Sequence, residues 1–283
     1  MDDNDGAPKN NLRVLYAVVK RDLLTWPRYP MWLISVTVAQ LFWSLIYVGT
    51  YSMYTGPSGD SPTLFESFTG TTNYAAFVFL GYIISRFMSG SIWSIAYAMR
   101  WEQQMGTLES NFLSPTPPWM FILGTSISHT IESSISAIMV LVLGWLTTGM
   151  YLQTSEALPV LVIILLVMGA SFGIGLFFAG IVMLYKEVGA IISFFIYLQV
   201  AFSGFSFAIA AIPALWRPLA GIFPATWAID GIRAVLLYHQ SLQNLVPIVT
   251  NLLTIDLVLI VSGWFLFKRF VRITKQGGGL GAY

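Results

Sequence analysis

Residues 100–119 read RWEQQMGTLESNFLSPTPPW, and they form the longest polar interruption between two strongly apolar segments of the chain. The stretch carries Arg100, two glutamates and a Gly106-Thr107 pair, and it ends in three prolines. Prolines stop a helix and restrict the direction in which the chain leaves it. A loop that only reverses the chain does not need this mixture. The pattern therefore favours a short helix presented to a cytoplasmic partner over its alternative, a solvated reversal loop.

The composition places this stretch in a membrane protein. Of 283 residues, 56% are hydrophobic and 10% are charged, whereas soluble domains carry about 25% charged residues. The formal net charge of +1 argues against nucleic acid as a partner, since such a surface needs clustered basic residues. The absence of cysteine excludes disulfides, thiol catalysis and Cys-ligated metals.

The apolar runs predict the fold class, an all-α integral membrane protein with six transmembrane helices. A helix needs about 20 apolar residues to cross a bilayer. An amphipathic pattern over residues 12–26 predicts a helix in the membrane interface before the first span, with an ordinary cytosolic N-terminal helix as the alternative. Residues 211–239 are apolar but interrupted by prolines, which predicts an extracellular re-entrant helical hairpin between spans five and six. The predicted spans are 31–53, 74–98, 121–147, 160–185, 188–210 and 246–267.

The distribution of basic residues predicts the orientation. With the N-terminus inside, the inner side collects nearly all of the lysines and arginines, and only Arg217 and Arg233 lie outside. This asymmetry is the positive-inside pattern. We therefore expect a multi-pass protein of the plasma (inner) membrane with both termini in the cytoplasm.

Two long motifs resemble one family. EQQMGTLESNFLSP at 102–115 is similar to the E-x-x-x-G-T-L-E-x-x-x-x-S-P stretch in membrane subunits of type-two ABC exporters. FSGFSFAIAAIPALWRPLAGIFPATWAIDGIR at 202–233 is similar to the late signature of the same family. The resemblance implies a permease that dimerises with itself or a related permease and pairs with separate ABC ATPase subunits. ATP and Mg²⁺ then belong to the partner, which agrees with the absence of a P-loop here.

The resemblance also implies domain boundaries and two sites. Residues 1–29 form the cytoplasmic N-terminus and elbow helix, residues 30–268 the permease domain, and residues 269–283 a cytoplasmic tail. A coupling loop at 99–119 docks on the ATPase, and the hairpin at 211–239 forms an outer gate, with a structural plug as the alternative. The coupling residues are Glu102, Gly106, Thr107, Leu108, Glu109, Ser114 and Pro115. The gate residues are Pro213, Arg217, Pro218, Pro224, Asp230, Gly231 and Arg233, among which Asp230 and Arg233 are spaced to pair on a helix.

Four ionisable residues lie inside predicted spans: Arg86, His129, Glu132 and Asp256. Each charge costs at least about 2.5–3.5 kcal/mol at a helix centre unless it is paired or hydrated. We therefore expect Arg86 and Glu132 to meet across neighbouring spans or to line the path. The alternative is that these side chains reach the headgroups or bind water.

The predicted function is an exporter permease, and its substrate class stays open. The apolar spans, and motif sequences that resemble those of drug-type family members, favour a lipophilic small molecule or drug as the substrate. A polysaccharide or lipid-linked glycan is the second choice. Rival classes are an intramembrane enzyme using His129 and Glu132, and a membrane scaffold. We expect no catalytic residue, metal site or cofactor in this chain, and no partner beyond the ATPase, the second permease and lipids.

Overall fold

The computed structural model describes residues 7–31, 34–35, 38–39, 42–43, 45–46, 49–50, 63–107, 113, 117–149, 153–185 and 188–276. Within these ranges every regular element is helical. The longer helices are joined by single turns of 3-10 helix at Trp26–Arg28, Thr154–Glu156 and Ile209–Ala211. In chain order the α-helices are α1 Ala7–Thr25, α2 Thr63–Thr69, α3 Tyr74–Gln104, α4 Trp119–Thr148, α5 Ala157–Leu184, α6 Gly189–Phe202, α7 Arg217–Ala220, α8 Pro224–Leu236 and α9 Leu242–Gln276.

Four helices of the described residues are long and apolar enough to cross a membrane, namely α3, α4, α5 and α9. The all-α membrane fold is therefore confirmed in this coarser form. The predicted first span lies largely outside the described residues, although those described between 34 and 50 are helical.

The predicted fifth span, 188–210, is too long. Helix α6 has only 14 residues and ends at Phe202, short of the roughly 20 that a bilayer requires. Directly after it the backbone of Gly204 adopts φ +69°, which is a left-handed conformation that favours glycine. The apolar sequence continues past this point, but the helix does not.

Helix α3 lies at the centre of the packing. It contacts α4, α5 and α8, and its largest fully buried side chains include Leu80, Met88, Ile92 and Ile95. Leu80 and Met88 belong to a cluster that α5, α8 and α9 complete, and Ile92 belongs to a second cluster with α5 and α6. Elements that touch the ends of α3 are therefore anchored to the most deeply buried of the four candidate spans in the described residues.

Helices α5 and α9 approach closely because glycines face each other across their contact. A Cβ atom on Gly173 would lie 2.6 Å from the carbonyl carbon of Leu259, and one on Gly263 would lie 2.2 Å from the carbonyl oxygen of Gly173. No real side chain tolerates such distances. Small residues at this spacing allow the backbones of membrane helices to touch.

Residues 211–239 contain two short helices, α7 and α8, which the prolines delimit. Pro224 occupies the first turn of α8, where its missing N–H costs no hydrogen bond. Most side chains of α8 are buried, and the helix packs against α3, α5 and α9. Its position inside the helix assembly explains why so short a segment is so apolar.

Candidate functional site

The polar stretch after α3 begins differently from the prediction. Residues 100–104, which we assigned to a separate short helix, continue α3 without interruption to Gln104. The helix ends because Gly106 adopts φ +70°, and the Thr107 N–H then donates to the Glu102 carbonyl at 3.0 Å. This is the usual way in which a glycine ends a helix. The first charged residues of the stretch are therefore held rigidly on the central helix.

Glu102 is held by hydrogen bonds on both of its carboxylate oxygens. Its side chain is buried, and Oε1 accepts a hydrogen bond from Nη1 of Arg21 at 2.7 Å. Oε2 accepts a hydrogen bond from the hydroxyl of Thr107. The carboxylate therefore joins the N-terminal helix α1, the end of α3 and the start of the following loop. We call Arg21, Glu102 and Thr107 the carboxylate cluster.

The Arg21 guanidinium is held by two acids. Its Nε donates to Asp22 Oδ1 at 3.0 Å, in addition to the bond with Glu102. Burial lowers the pKa of Arg21, but the carboxylates of Asp22 and Glu102 outweigh burial and raise it above its ordinary value. Arg21 is consequently a permanent cation at this contact.

Helix α1 is fixed to the assembly by packing as well as by charge. It lies against α4, and Val18 is buried where Gly124 leaves room for it, since a Cβ on Gly124 would lie 2.6 Å from Cγ1 of Val18. Other apolar side chains of α1 are exposed, among them Leu12 and Tyr16. The cluster therefore sits on a helix whose position is set by α4.

The predicted coupling residues fall into two groups. Glu102, Gly106 and Thr107 meet in the turn just described, whereas Leu108, Glu109, Ser114 and Pro115 lie outside the described residues. Leu113, which is described, is 87% exposed. Sequence reasoning missed Arg21 as a site residue because it lies 81 positions from Glu102, and no local pattern links the two.

Arg233 in the outer segment has a different partner from the one we predicted. No ion pair joins it to Asp230 in the described part of the chain. Its guanidinium instead donates to backbone carbonyls, reaching Phe77 at 2.9 and 3.1 Å, Gly204 at 2.9 Å and Phe205 at 2.7 Å. The guanidinium also lies over the Phe77 ring, 3.3 Å from its centroid. Gly204 and Phe205 lie in the turn after α6, outside any helix, so their carbonyls are open to a side-chain donor. Phe77 lies inside α3, and its carbonyl oxygen has a second lone pair for the guanidinium.

Arg233 thus ties three elements together. Phe77 is on α3, residues 204–205 follow α6, and Arg233 itself is on α8. The contact also requires Gly81, where a Cβ would lie 2.2 Å from the Phe205 carbonyl oxygen and 2.8 Å from Nη2 of Arg233. A cation satisfied by three carbonyl groups tolerates burial because charged hydrogen bonds offset its lost hydration.

The remaining gate residues are spread over the surface and interior of the segment. Arg217 is exposed and donates to the carbonyls of Ala210 and Ile212. Pro213 and Pro218 are exposed, while Pro224 and Gly231 are buried. Burial raises the pKa of Asp230 to about 6, against the opposing effect of the positive charge of Arg233.

A contact that sequence reasoning missed closes the end of this segment. His239 Nδ1 meets Glu156 Oε1, and the other carboxylate oxygen of Glu156 accepts from the Gln153 N–H at 2.8 Å. Glu156 is buried, and His239 adopts φ +49°. The pair joins the start of α5 to the chain after α8. The two residues are 83 positions apart, so the sequence carries no signal for it.

The predicted intramembrane residues come together only in part. Arg86 lies near enough to His129 and Glu132 to act on both electrostatically, but no ion pair joins Arg86 to Glu132 in the described residues. His129 Nδ1 lies 3.0 Å from the hydroxyl oxygen of Ser133. That Arg86, His129 and Glu132 line a translocation path stays a prediction.

Asp256 is separate from this group. It is buried on α9 beside Gly169 of α5, with Oδ2 3.0 Å from the position that a glycine Cβ would take. Its Oδ1 has no hydrogen-bond partner among the described residues.

Comparison with known proteins settles the family. No curated protein matches the chain. Residues 13–237 match the model of the ABC-2 type transporter family, from within α1 to the end of α8. That range includes the carboxylate cluster, Arg233 and three of the four candidate spans. The chain therefore belongs to the ABC-2 type transporter family, as a multi-pass membrane permease subunit.

Proposed function

We propose that this chain is the permease of an ATP-driven exporter whose ATPase is a separate subunit, with ATP and Mg²⁺ bound there. The observation that carries the proposal is the carboxylate cluster. Movement of the loop after Thr107 is passed directly to α3, because Glu102 belongs to that helix, and to α1 through Arg21. A partner that pushes on this loop therefore acts on the central helix without a flexible intermediate.

The wider architecture of the proposal has six spans, an N-terminal elbow helix, a re-entrant outer segment and two permease copies. The paired contacts of Arg233 and of Glu156 with His239 support a rigid outer segment. The carboxylate cluster lies at the other end of α3 from the Phe77 carbonyl that Arg233 binds. Alternating access would then tilt α3 between these two attachments. The transported molecule in this proposal is a lipophilic small molecule.

The test uses the chain purified from its native membrane together with the ATPase that accompanies it. Arg21→Gln and Glu102→Gln each break the contact between α1 and α3, so we expect each to lower ATPase activity of the complex severalfold. The double variant should have about the same ATPase activity as the less active single variant, since all three variants remove the same contact. Folding should change little, because Arg21 is half-exposed and the Thr107 hydroxyl still donates to the side chain at position 102.

Arg13→Gln provides the matched control, because Arg13 is exposed on the same helix as Arg21. It should leave ATPase activity at the wild-type level. Additive losses in the double variant would contradict a shared contact. A well-folded preparation without any ATPase would overturn the exporter itself.

A further inference from the structure

A cavity of about 300 Å³ lies beside the buried Arg233. Its walls come from α2, the start of α3, residues 208–210, α8 and α9. Ligand sites in proteins occupy about 300–1,000 Å³. The cavity is therefore large enough for the head of a small amphiphile, and it lies outside the four candidate spans except where α3 and α9 border it.

Asp230 supplies the cavity with its one unengaged carboxylate among the described lining residues. Its side chain is half-buried, and it accepts no hydrogen bond from the part of the chain that the structure describes. Arg233, which also borders the cavity, is already engaged by the carbonyls of Phe77, Gly204 and Phe205. A ligand therefore meets an acceptor that is free and a cation that is occupied.

The charges of the cavity select against charged ligands. Arg233 lies close enough to Asp230 to act on it electrostatically. The opposite charges of Asp230 and Arg233 leave the pair without net charge, so a cationic or an anionic ligand gains little net attraction there. Either ligand still loses the hydration of its own charge on entering the cavity. An uncharged group that donates a hydrogen bond to the carboxylate avoids that cost.

Aromatic side chains supply the apolar part of the site. Phe68 is 52% exposed and Tyr238 is 37% exposed, and both line the cavity. The Tyr238 hydroxyl donates to the Thr69 carbonyl, which holds this wall against α2. Two exposed aromatic surfaces beside one acceptor suit a molecule with a polar end and a hydrocarbon body.

We propose that this cavity binds the hydroxyl-bearing head of an uncharged amphiphile, with the hydroxyl donating to Asp230 and the carbon skeleton against Phe68 and Tyr238. The head belongs either to a free amphiphile or to a bilayer lipid. The binding site itself does not depend on the proposed function. Only the further assumption that the bound molecule is the transported one rests on that function.

The test uses the full chain in nanodiscs of phosphatidylcholine, without ATPase or nucleotide. Three photoactivatable probes share one long diazirine chain and end in an alcohol, an ammonium or a carboxylate. We expect the alcohol to label peptides of α2 and α8 about tenfold more than either charged probe, since a charged probe gives up hydration that the net-neutral pair of Asp230 and Arg233 does not replace. Equal labelling by the three probes would overturn the site.

Variants separate the acceptor from the aromatic wall. Asp230→Ala should abolish the preference for the alcohol, and Phe68→Ala should reduce alcohol labelling severalfold without touching Arg233. Glu66→Gln is the control, because Glu66 is exposed on α2 and does not line the cavity. If Asp230→Ala does not fold, the Phe68→Ala variant decides. Alcohol labelling of that variant at the wild-type level would reject the proposal.

Nanodiscs that also contain a glucosyl diacylglycerol identify the source of the head. Loss of alcohol labelling there assigns the site to a lipid, and retained labelling assigns it to a free amphiphile. Neither result depends on ATP hydrolysis. A failed probe experiment therefore leaves the coupling proposal standing, and an absent ATPase leaves the binding site standing.

Discussion

At the scale of single residues, this protein satisfies its buried charges with hydrogen bonds that join separate elements. Arg233 donates to the carbonyls of Phe77 in α3 and of Gly204 and Phe205 after α6. Glu102 accepts hydrogen bonds from Arg21 and Thr107 at the end of α3. In both cases the charged side chain connects elements that are distant in sequence.

Replacing Arg233 by lysine should destabilise the protein by about 3 kcal/mol, because an ammonium cannot reach three carbonyls in the planar arrangement of a guanidinium. The expected result is a lower midpoint of thermal aggregation in detergent, measured by size-exclusion chromatography after heating. Arg217→Lys serves as control, since Arg217 is exposed in the same segment. An equal loss in the two variants would contradict the role assigned to the buried contacts.

At the scale of elements, the packing depends on where helices have no side chain. The α5–α9 contact is made by Gly173 and Gly263, and both positions exclude even a methyl group. Helix α8 is accommodated because its faces are apolar and its neighbours leave room. The distance between α5 and α9 is therefore set at the glycines where their backbones come closest.

Gly173→Ala should therefore separate α5 from α9 and lower the aggregation midpoint by several degrees. Forced overpacking typically costs about 1–3 kcal/mol. Gly221→Ala is the counterpart, because its Cβ would meet only an ordinary contact at 3.5 Å from the Pro218 carbonyl oxygen. We expect that variant to match or exceed the wild type, since alanine restricts the unfolded chain more than glycine does. A stable Gly173→Ala protein would show that the helices separate without cost.

At the scale of the whole molecule, the distribution of basic residues predicts which side of the membrane each end of the chain occupies. The positive-inside pattern predicts that α1 and the end of α9 face the cytoplasm and that residues 211–239 face outward. The absence of native cysteine makes this directly testable by single-cysteine labelling.

Cysteines at Leu215 and Gln240 should react with an impermeant maleimide added to intact cells, and cysteines at Arg13 and Gln276 should react only after lysis. All four positions are exposed in the structure, and labelling after lysis shows that each cysteine is accessible once both sides of the membrane can be reached. The reverse pattern would invert the topology and place the carboxylate cluster outside, where no ATPase could reach it.

The sequence by itself determined the class of this protein. The charge deficit and the apolar runs require a membrane, because so few charged residues cannot cover a soluble surface. The two motifs at 102–115 and 202–233 identified the family that the comparison confirmed. Helix boundaries followed where proline or polar residues interrupt the apolar pattern, as at α4 and α5, and failed where a glycine turn ends an apolar helix, as at Gly204.

Only the tertiary structure decided which residues meet. Arg21 with Glu102 and Glu156 with His239 are 81 and 83 positions apart, and nothing in their local sequence indicates a partner. The spacing of three residues on a helix predicts that Arg233 pairs with Asp230. In the folded chain the guanidinium donates to backbone carbonyls of α3 and of the turn after α6 instead. Local pattern fixes the period and polarity of each helix, whereas contacts between charges depend on how the helices are assembled.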